Sequence, residues 1–138
     1  LNMRVIIDDS VYLYKRGVYG LFVIRNGVKN CVYVGRSEQI NKRIETHKTK
    51  IEKGRHLKSL LDAFIDDEAI IFATVLEEVP YYFDNYSKDA QRLASAENYW
   101  IDKFQSMNQC LEQIPEGKRP SLKEWEKMKT LNLNNRLL

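Results

Sequence analysis

The sequence predicts a single α/β domain built around a small sheet, and three observations predict it. Arg25-Asn26-Gly27 is a strong hairpin signal between two runs rich in Val, Ile, Phe and Tyr, Gly17 to Ile24 and Lys29 to Gly35. Two amphipathic helical patterns follow, and then an unbroken β-branched and aromatic run, Ile70 to Leu76, reads as a buried strand. A last long pattern sets Leu93, Glu97, Trp100, Ile101 and Phe104 on one face of a helix, with a carboxylate in the middle of the hydrocarbon. An ionised carboxylate taken out of water alone costs on the order of several kcal/mol. Glu97 is therefore paired inside the protein, to an Arg, a Tyr or a backbone amide, or it is protonated, or it is bound to a cation.

With 138 residues the chain is one domain, spanning 1–138. Its 43% hydrophobic and 30% charged content is that of a soluble globular protein, and no apolar run reaches the roughly 20 residues of a membrane span. Arg4 to Ser10 is too polar for a signal peptide, and Leu1-Asn2 ahead of Met3 read as a scar before a native start. Cys31 and Cys110 are too few for a zinc site or a disulfide framework, so a cytoplasmic setting is expected. The net charge of +3 hides a strong asymmetry. Residues 36–58 hold eight Lys/Arg against three Glu, a local +5, while residues 62–112 hold eleven Asp/Glu against three Lys/Arg, a local −8. Such a pair of segments is either an internal match or a polyanion site beside a cation site.

Arg4 to Ile7 and Val11 to Tyr14 are β-prone runs split by Asp8-Asp9-Ser10, a strand, turn, strand preface over 1–16. The hairpin leaves two registers open. A two-residue Asn26-Gly27 turn pairs Arg25 with Val28, sets Tyr19 opposite Val34 and leaves Tyr19 and Tyr33 on opposite faces. A three-residue loop pairs Ile24 with Val28 and Tyr19 with Tyr33, so that both phenols line one site. Ser37 reads as the N-cap of a helix to about Lys53, with Ile40, Ile44, His47 and Ile51 inward and Arg43, His47 and Lys50 along one edge. Gly54 stops it, His56 lies in the connection, and Leu57 to Ile65 forms a second helix closed by Asp66-Asp67. Pro80 ends the buried strand, Tyr81 to Lys88 is an aromatic loop, and the Glu97 helix spans about Ser87 to Gln105. A linker over 115–120 precedes a small basic helix opened by the capping box Ser121 to Glu124, within a C-terminal segment of 115–138.

The order Gly17-Val18-Tyr19, then Tyr33-Val34-Gly35, then an Arg and a His on a helix, then a Glu on a later apolar helix resembles the GIY-YIG nuclease superfamily. Val32-Tyr33-Val34-Gly35, Lys42-Arg43, His47, Glu52-Lys53-Gly54-x-His56, Leu76-Glu77-Glu78-Val79-Pro80 and Glu97-Asn98-Tyr99-Trp100-Ile101 resemble the nuclease domain of phage-type, intron-encoded homing endonucleases. The resemblance covers about residues 17–105. It implies the small ββααβα nuclease fold, a three-stranded antiparallel sheet flanked by helices, with a core at 17–112 to which this chain adds an N-terminal β segment and a C-terminal helix. It also implies Mg²⁺ or Mn²⁺ and hydrolysis of double-stranded DNA.

Residue by residue, the resemblance implies that Glu97 ligates the metal, Tyr19 activates the attacking water and Arg43 holds the scissile phosphate. Tyr33, His47 and His56 assist in positioning and proton transfer. Arg36, Lys42, Lys50, Arg55 and Lys58 are the expected DNA contacts. The chemistry asks for the same types: a hard cation held by oxygen, a base for water and a fixed guanidinium at the phosphoryl oxygens. A free Tyr has a pKa near ~10, so Tyr19 is a base only if a cation lowers it. The family's late Asn has only Asn108 as its counterpart here, and the spacing from Tyr19 to Tyr33 is longer than in the homing enzymes. The rival readings are a structure-selective or repair nuclease, a catalytically weak nucleic-acid-binding domain and a scaffold whose Glu97 is satisfied internally. Selectivity would come from the basic helix at Ser121 to Leu131, the 36–58 face, a homodimer or a targeting partner protein, and no membrane is expected.

Overall fold

The computed structural model describes residues 4–113. The expected linker and C-terminal basic helix, and Leu1-Asn2, lie outside the described residues. Eight elements follow one another: β1 (Val5–Ile7), α1 (Ser10–Leu13), β2 (Gly17–Arg25), β3 (Val28–Ser37), α2 (Ile40–Glu52), α3 (Lys58–Ile65), β4 (Ala69–Glu78) and α4 (Tyr86–Gln105). The sheet order is β1-β4-β2-β3. β2 pairs antiparallel with both β3 and β4, the expected three-stranded antiparallel core, and β1 joins the far edge parallel to β4, with Val5 opposite Ile71. The sheet is thus mixed and four-stranded. From β2 onward the order is ββααβα.

β2 is the central strand and is buried on both faces, which explains its unbroken apolar sequence. Tyr19, Leu21 and Val23 point to one side, where Val11 of α1, Ile40, Ile44 and Ile51 of α2 and Leu60 and Ala63 of α3 meet them. Val18 and Phe22 point to the other, against Leu93, Ile101 and Phe104 of α4. The result is three layers, with α1 to α3 on one face of the sheet and α4 on the other. No helix among the described residues is long and apolar enough to cross a membrane.

Two local expectations need correction. The β-prone run at Val11 forms helix α1 instead of a strand, because Asp8 folds the chain back at that point. Its carboxylate accepts from the Ser10 hydroxyl at 2.5 Å and from the Ser10 backbone N–H at 3.3 Å, a local turn that outweighs strand propensity. Ser37 does not cap α2 either. It ends β3, its hydroxyl accepts from the Gln39 N–H at 2.9 Å, and the helix begins at Ile40. The N-cap of α4 is Asn85, whose side chain accepts from the Lys88 N–H at 3.1 Å.

β3 is an edge strand, and the chain after α4 covers it. The Cys31 N–H donates to the Gln109 side chain at 2.6 Å, the Cys110 N–H donates to the Cys31 carbonyl at 2.9 Å, and the Val34 N–H donates to Gln113 Oε1 at 2.8 Å. Gln113 also donates from Nε2 back to the Val34 carbonyl, so one amide side chain stands in for a neighbouring strand. Because Val34 lies between Tyr33 and Gly35, this contact steadies the stretch that builds the site. Gln113→Ala should cost about 1–3 kcal/mol, since it strands two backbone groups of Val34, and urea denaturation checks it. A loss below about 0.5 kcal/mol would mean that water replaces the amide freely.

Candidate active site

A one-residue irregularity in β3 decides where the two motif tyrosines go. The turn is the two-residue Asn26-Gly27 form, with φ 52° and 75°, and Arg25 pairs with Val28. That register alone would separate the phenols. Between Leu21 and Phe22 the pairing shifts by one residue, so Cys31 faces Phe22, Tyr33 faces Leu21 and Gly35 faces Tyr19. Val32 is the extra residue of a β-bulge. Tyr33 thereby lands on the face of Tyr19, with ring centroids 6.4 Å apart. The three-residue loop is not formed, and the slack lies inside the strand.

The glycines of the two tripeptides have separate steric causes. A Cβ on Gly35 would collide with the phenol oxygen and ring of Tyr19 across the ladder. A Cβ on Gly17 would strike the Glu77 carbonyl of β4. Gly35 makes room for a phenol that has no exposed surface, and Gly17 lets β4 approach the strand that carries it.

The imidazoles form a chain whose direction the backbone sets. The Leu57 N–H donates to His56 Nδ1 at 2.8 Å, so that nitrogen is an acceptor and a neutral His56 carries its proton on Nε2. His56 Nε2 lies 2.7 Å from His47 Nδ1 and must donate to it, which leaves the His47 proton on Nε2. His47 Nε2 lies 2.6 Å from the Tyr19 hydroxyl, so His47 donates and the Tyr19 oxygen accepts. The reverse direction would require both His56 nitrogens to accept, which a neutral imidazole cannot do. Burial, His56, Arg43 and Lys50 together push His47 down to about 3, and burial with Lys50 and Arg43 lowers His56. Both rings are neutral at pH 7.

Tyr19 is held well above the ordinary phenol range, first by burial, then by Tyr33 and Glu97, with Arg43 acting in the opposite direction. Arg43 sits on the exposed flank of α2, one turn before His47. Partial burial opposes its charge, and the neighbouring Tyr19 and Tyr33 more than offset this, so its acidity is held below that of an ordinary arginine. The structure therefore brings Tyr19, Tyr33, Arg43, His47 and His56 together on the α2 side of the sheet.

Glu97 approaches from the other layer. It lies on the buried stripe of α4 between Leu93 and Ile101, 6% exposed. Arg36 faces Val18 on the α4 side of β3, and its NH1 donates to Glu97 Oε1 at 2.6 Å. Glu97 has the smallest of the influences on the Tyr19 phenol, after burial, Tyr33 and Arg43. Arg36 thus meets a carboxylate, where the sequence suggested only DNA. Lys42, Lys50, Arg55 and Lys58 are exposed. Lys50 and Arg55 line an open depression of about 420 Å³ beside α2, while Lys42 borders another, with Lys15 and Gln39, at the start of the helix.

Sequence reasoning missed one supporting pair. Arg16, 4% exposed, donates to the Val79 carbonyl at 2.6 Å and to the Asp89 carbonyl at 2.9 Å. The Asp89 carboxylate, also buried, accepts from the N–H groups of Tyr82 and Phe83 and from Arg92. Together they fix the aromatic loop and the start of α4, and hence where Glu97 stands. Periodicity gives no signal for either. Asn108 is a left-handed turn residue after α4, with φ 59°.

With this geometry in place, comparison with known proteins is direct. The GIY-YIG catalytic domain profile matches residues 18–109, two thirds of the chain, and the chain belongs to the GIY-YIG family of nucleases. It is 33% identical over 88 residues to intron-associated endonuclease 1 of Enterobacteria phage T4, an alignment that covers 63% of this chain and 33% of that protein. The chain thus spans about a third of the length of that relative. No solved structure matches it significantly.

The resemblance implies a divalent cation, and the donors bear on which. Among the described residues no three His, Cys, Asp or Glu side chains converge as a chelating group. Glu97 offers one hard oxygen donor. That is the kind of donor that Mg²⁺ or Mn²⁺ take beside water and substrate oxygens.

The neutral imidazoles give a pH prediction. The folded-state pKa of His47 lies below its unfolded value of roughly 6.5, so the unfolded chain binds more protons in the window between them and stability rises with pH there. The contribution is complete above about pH 6.5 and is lost as pH falls, by roughly 1.4 kcal/mol per pH unit for one fully responding histidine. Urea denaturation at pH 7 and pH 5 should show this loss, and His47→Phe should flatten it. An equal slope in both proteins would contradict a neutral buried His47.

Proposed function

We propose that the protein is a divalent-metal-dependent endonuclease that hydrolyses phosphodiester bonds of double-stranded DNA, in an intracellular, phage- or bacterium-type setting. The observation that carries the reading is the Tyr19 oxygen, which accepts from His47 at 2.6 Å beside the Arg43 guanidinium. With its oxygen receiving an N–H, Tyr19 keeps its own proton free to point away from the imidazoles. As a phenolate it would be stabilised by the same N–H and by Arg43. His47 and His56 are positioning residues in this account, and Tyr33 packs against both rings, at 4.9 and 5.7 Å between centroids.

In the free protein Tyr19 is a phenol. Bound at Glu97, Mg²⁺ or Mn²⁺ would supply a Lewis acid at a phosphoryl oxygen and the charge that makes Tyr19 more acidic. Tyr19 would then take the proton of the attacking water. Arg43 would grip two phosphoryl oxygens and offset the charge that grows on them, and the exposed cations Lys42, Lys50, Arg55 and Lys58 would track the backbone. Selectivity would come from outside this core, through a second copy or a targeting protein.

A second reading, a nuclease that selects branched or damaged DNA, is favoured by the aromatic loop. Tyr81, Tyr82 and Phe83 are exposed, and each has a cation over its ring: Arg16 at 4.2 Å, Arg92 at 5.5 Å and Lys88 at 5.6 Å. Unpaired bases stack on such rings.

Supercoiled plasmid and branched duplexes incubated with and without Mg²⁺ or Mn²⁺ test both readings. Cleavage of plasmid only with the cation supports the first, a strong preference for the branched substrate supports the second, and no cleavage of either overturns the assignment. Arg43→Lys should lower cleavage by about 10²-fold while DNA affinity, spread over several cations, changes little. A variant that binds poorly yet cuts normally at saturating DNA would make Arg43 a binding residue only.

A further inference from the structure

Two buried thiols take no part in the chemistry described above. Cys31 lies on β3 and Cys110 in the turn after α4, 1% and 3% exposed, and Cys110 Sγ donates to Cys31 Sγ at 3.3 Å. Buried cysteines are most often inert packing residues. Two features set this pair apart. A disulfide bond is about 2.05 Å long, so the sulfurs need approach by little more than an ångström to be joined. The second feature is the backbone of Cys110, whose φ of 57° falls in the left-handed region that a residue with a Cβ rarely adopts. Such a conformation persists only where its surroundings dictate it. The Cys110 N–H donates to the Cys31 carbonyl at 2.9 Å, and the Cys110 carbonyl accepts from Gln105 Nε2 at 3.2 Å. The turn thus accepts an unfavourable backbone at the residue whose thiol meets Cys31.

We propose that Cys31 and Cys110 are an oxidation site, a dithiol that hydrogen peroxide converts to a disulfide and that then latches the chain after α4 onto β3. The Cys110 sulfur attacks one oxygen of the peroxide, the O–O bond breaks, and the released hydroxide takes the thiol proton as water, leaving a sulfenic acid. The Cys31 sulfur then attacks the Cys110 sulfur, the S–O bond breaks, and the hydroxide leaves with the Cys31 proton as a second water. Two electrons pass from the sulfurs to the peroxide. Contact with Cys110 and burial hold the Cys31 thiol above the ordinary range, which leaves the first attack to Cys110. Peroxide reaches the pair when the turn opens locally, a motion that need only break the contacts of Gln109 and Cys110 with β3.

The two cysteines are 79 residues apart, and Tyr33, Arg43, His47, His56 and Glu97 all lie between them. Oxidation therefore closes a loop around the whole site and ties the end of α4 to the strand that carries Tyr33 and Gly35. Cys110 falls just past the family match at 18–109, so the bond joins this chain's own continuation to the nuclease core. A closed loop of this size restricts the unfolded chain, and the fold gains stability.

The test uses the full chain, reduced and then exposed to a small molar excess of hydrogen peroxide, beside Cys31→Ser and Cys110→Ser. Tryptic mapping of the oxidised wild type should show peptide 30–36 linked to peptide 104–118. Its melting temperature should rise by about 10 °C and return to the starting value in dithiothreitol, which does not reverse oxidation of methionine. Neither variant should show the linked peptide or the reversible rise. Free thiols after peroxide treatment, sulfinic acid at either cysteine without the linked peptide, or disulfide-linked dimers would overturn the site. A linked peptide with an unchanged melting temperature would overturn the latch. Should either variant fail to fold, the peptide map and the dithiothreitol reversal on the wild type decide alone.

Discussion

The structure depends on the complete burial of one phenol. Tyr19 has no exposed surface, yet its oxygen needs a partner and its ring fills the contact between the sheet and α2. Each neighbouring feature answers that demand. Gly35 leaves out the side chain that would collide with it, the bulge at Val32 puts Gly35 opposite it, and His47 meets its oxygen. Were the bulge absent, Val34 would take the place of Gly35 and Tyr33 would turn to the α4 side. A one-residue irregularity in an edge strand is thus what makes the two tyrosine motifs a single site, and Gln109 and Gln113 are the clasps that hold that strand.

A second consequence is electrostatic. Positive charge is kept off the imidazoles by burial and by nearby Arg43 and Lys50, so the relay is made of neutral rings whose tautomers follow from a single backbone N–H. The charged work is divided between the faces of β3: Arg43 beside the phenols, Arg36 and Glu97 toward α4. The acidic and basic halves of the sequence are therefore in part an internal match, through Arg36 and Glu97, and in part a face left free, where Lys42, Lys50, Arg55 and Lys58 are exposed.

Much of this was legible because the sequence repeats its message locally. The apolar faces of α2, α3 and α4 and the run at Ile70 to Leu76 specify elements whose neighbours agree with them, and Glu97 announces itself by breaking a stripe. What was hidden depends on single contacts between distant residues. The bulge is invisible because Val32 is as strand-like as its neighbours. Helix α1 was hidden because the turn into it depends on one short contact, from the Ser10 hydroxyl to the Asp8 carboxylate. The union of Arg36 with Glu97 spans 61 residues, and the anchoring of α4 by Arg16 and Asp89 spans 73, so no window along the chain contains either. The strand β1 could be read, but its parallel pairing with β4 could not, because pairing partners carry no local signature.

The central claim is that the relay runs from the Leu57 backbone through two neutral imidazoles toward the Tyr19 oxygen. The most direct measurement is nitrogen NMR of the two histidines in the folded protein at pH 7. Protonated Nε2 and unprotonated Nδ1 on both rings, with the His47 Nε2 proton shifted by its bond to Tyr19, are the result this account predicts. A proton on His47 Nδ1, leaving Nε2 to accept from the phenol, would contradict it and make His47 the base that Tyr19 serves.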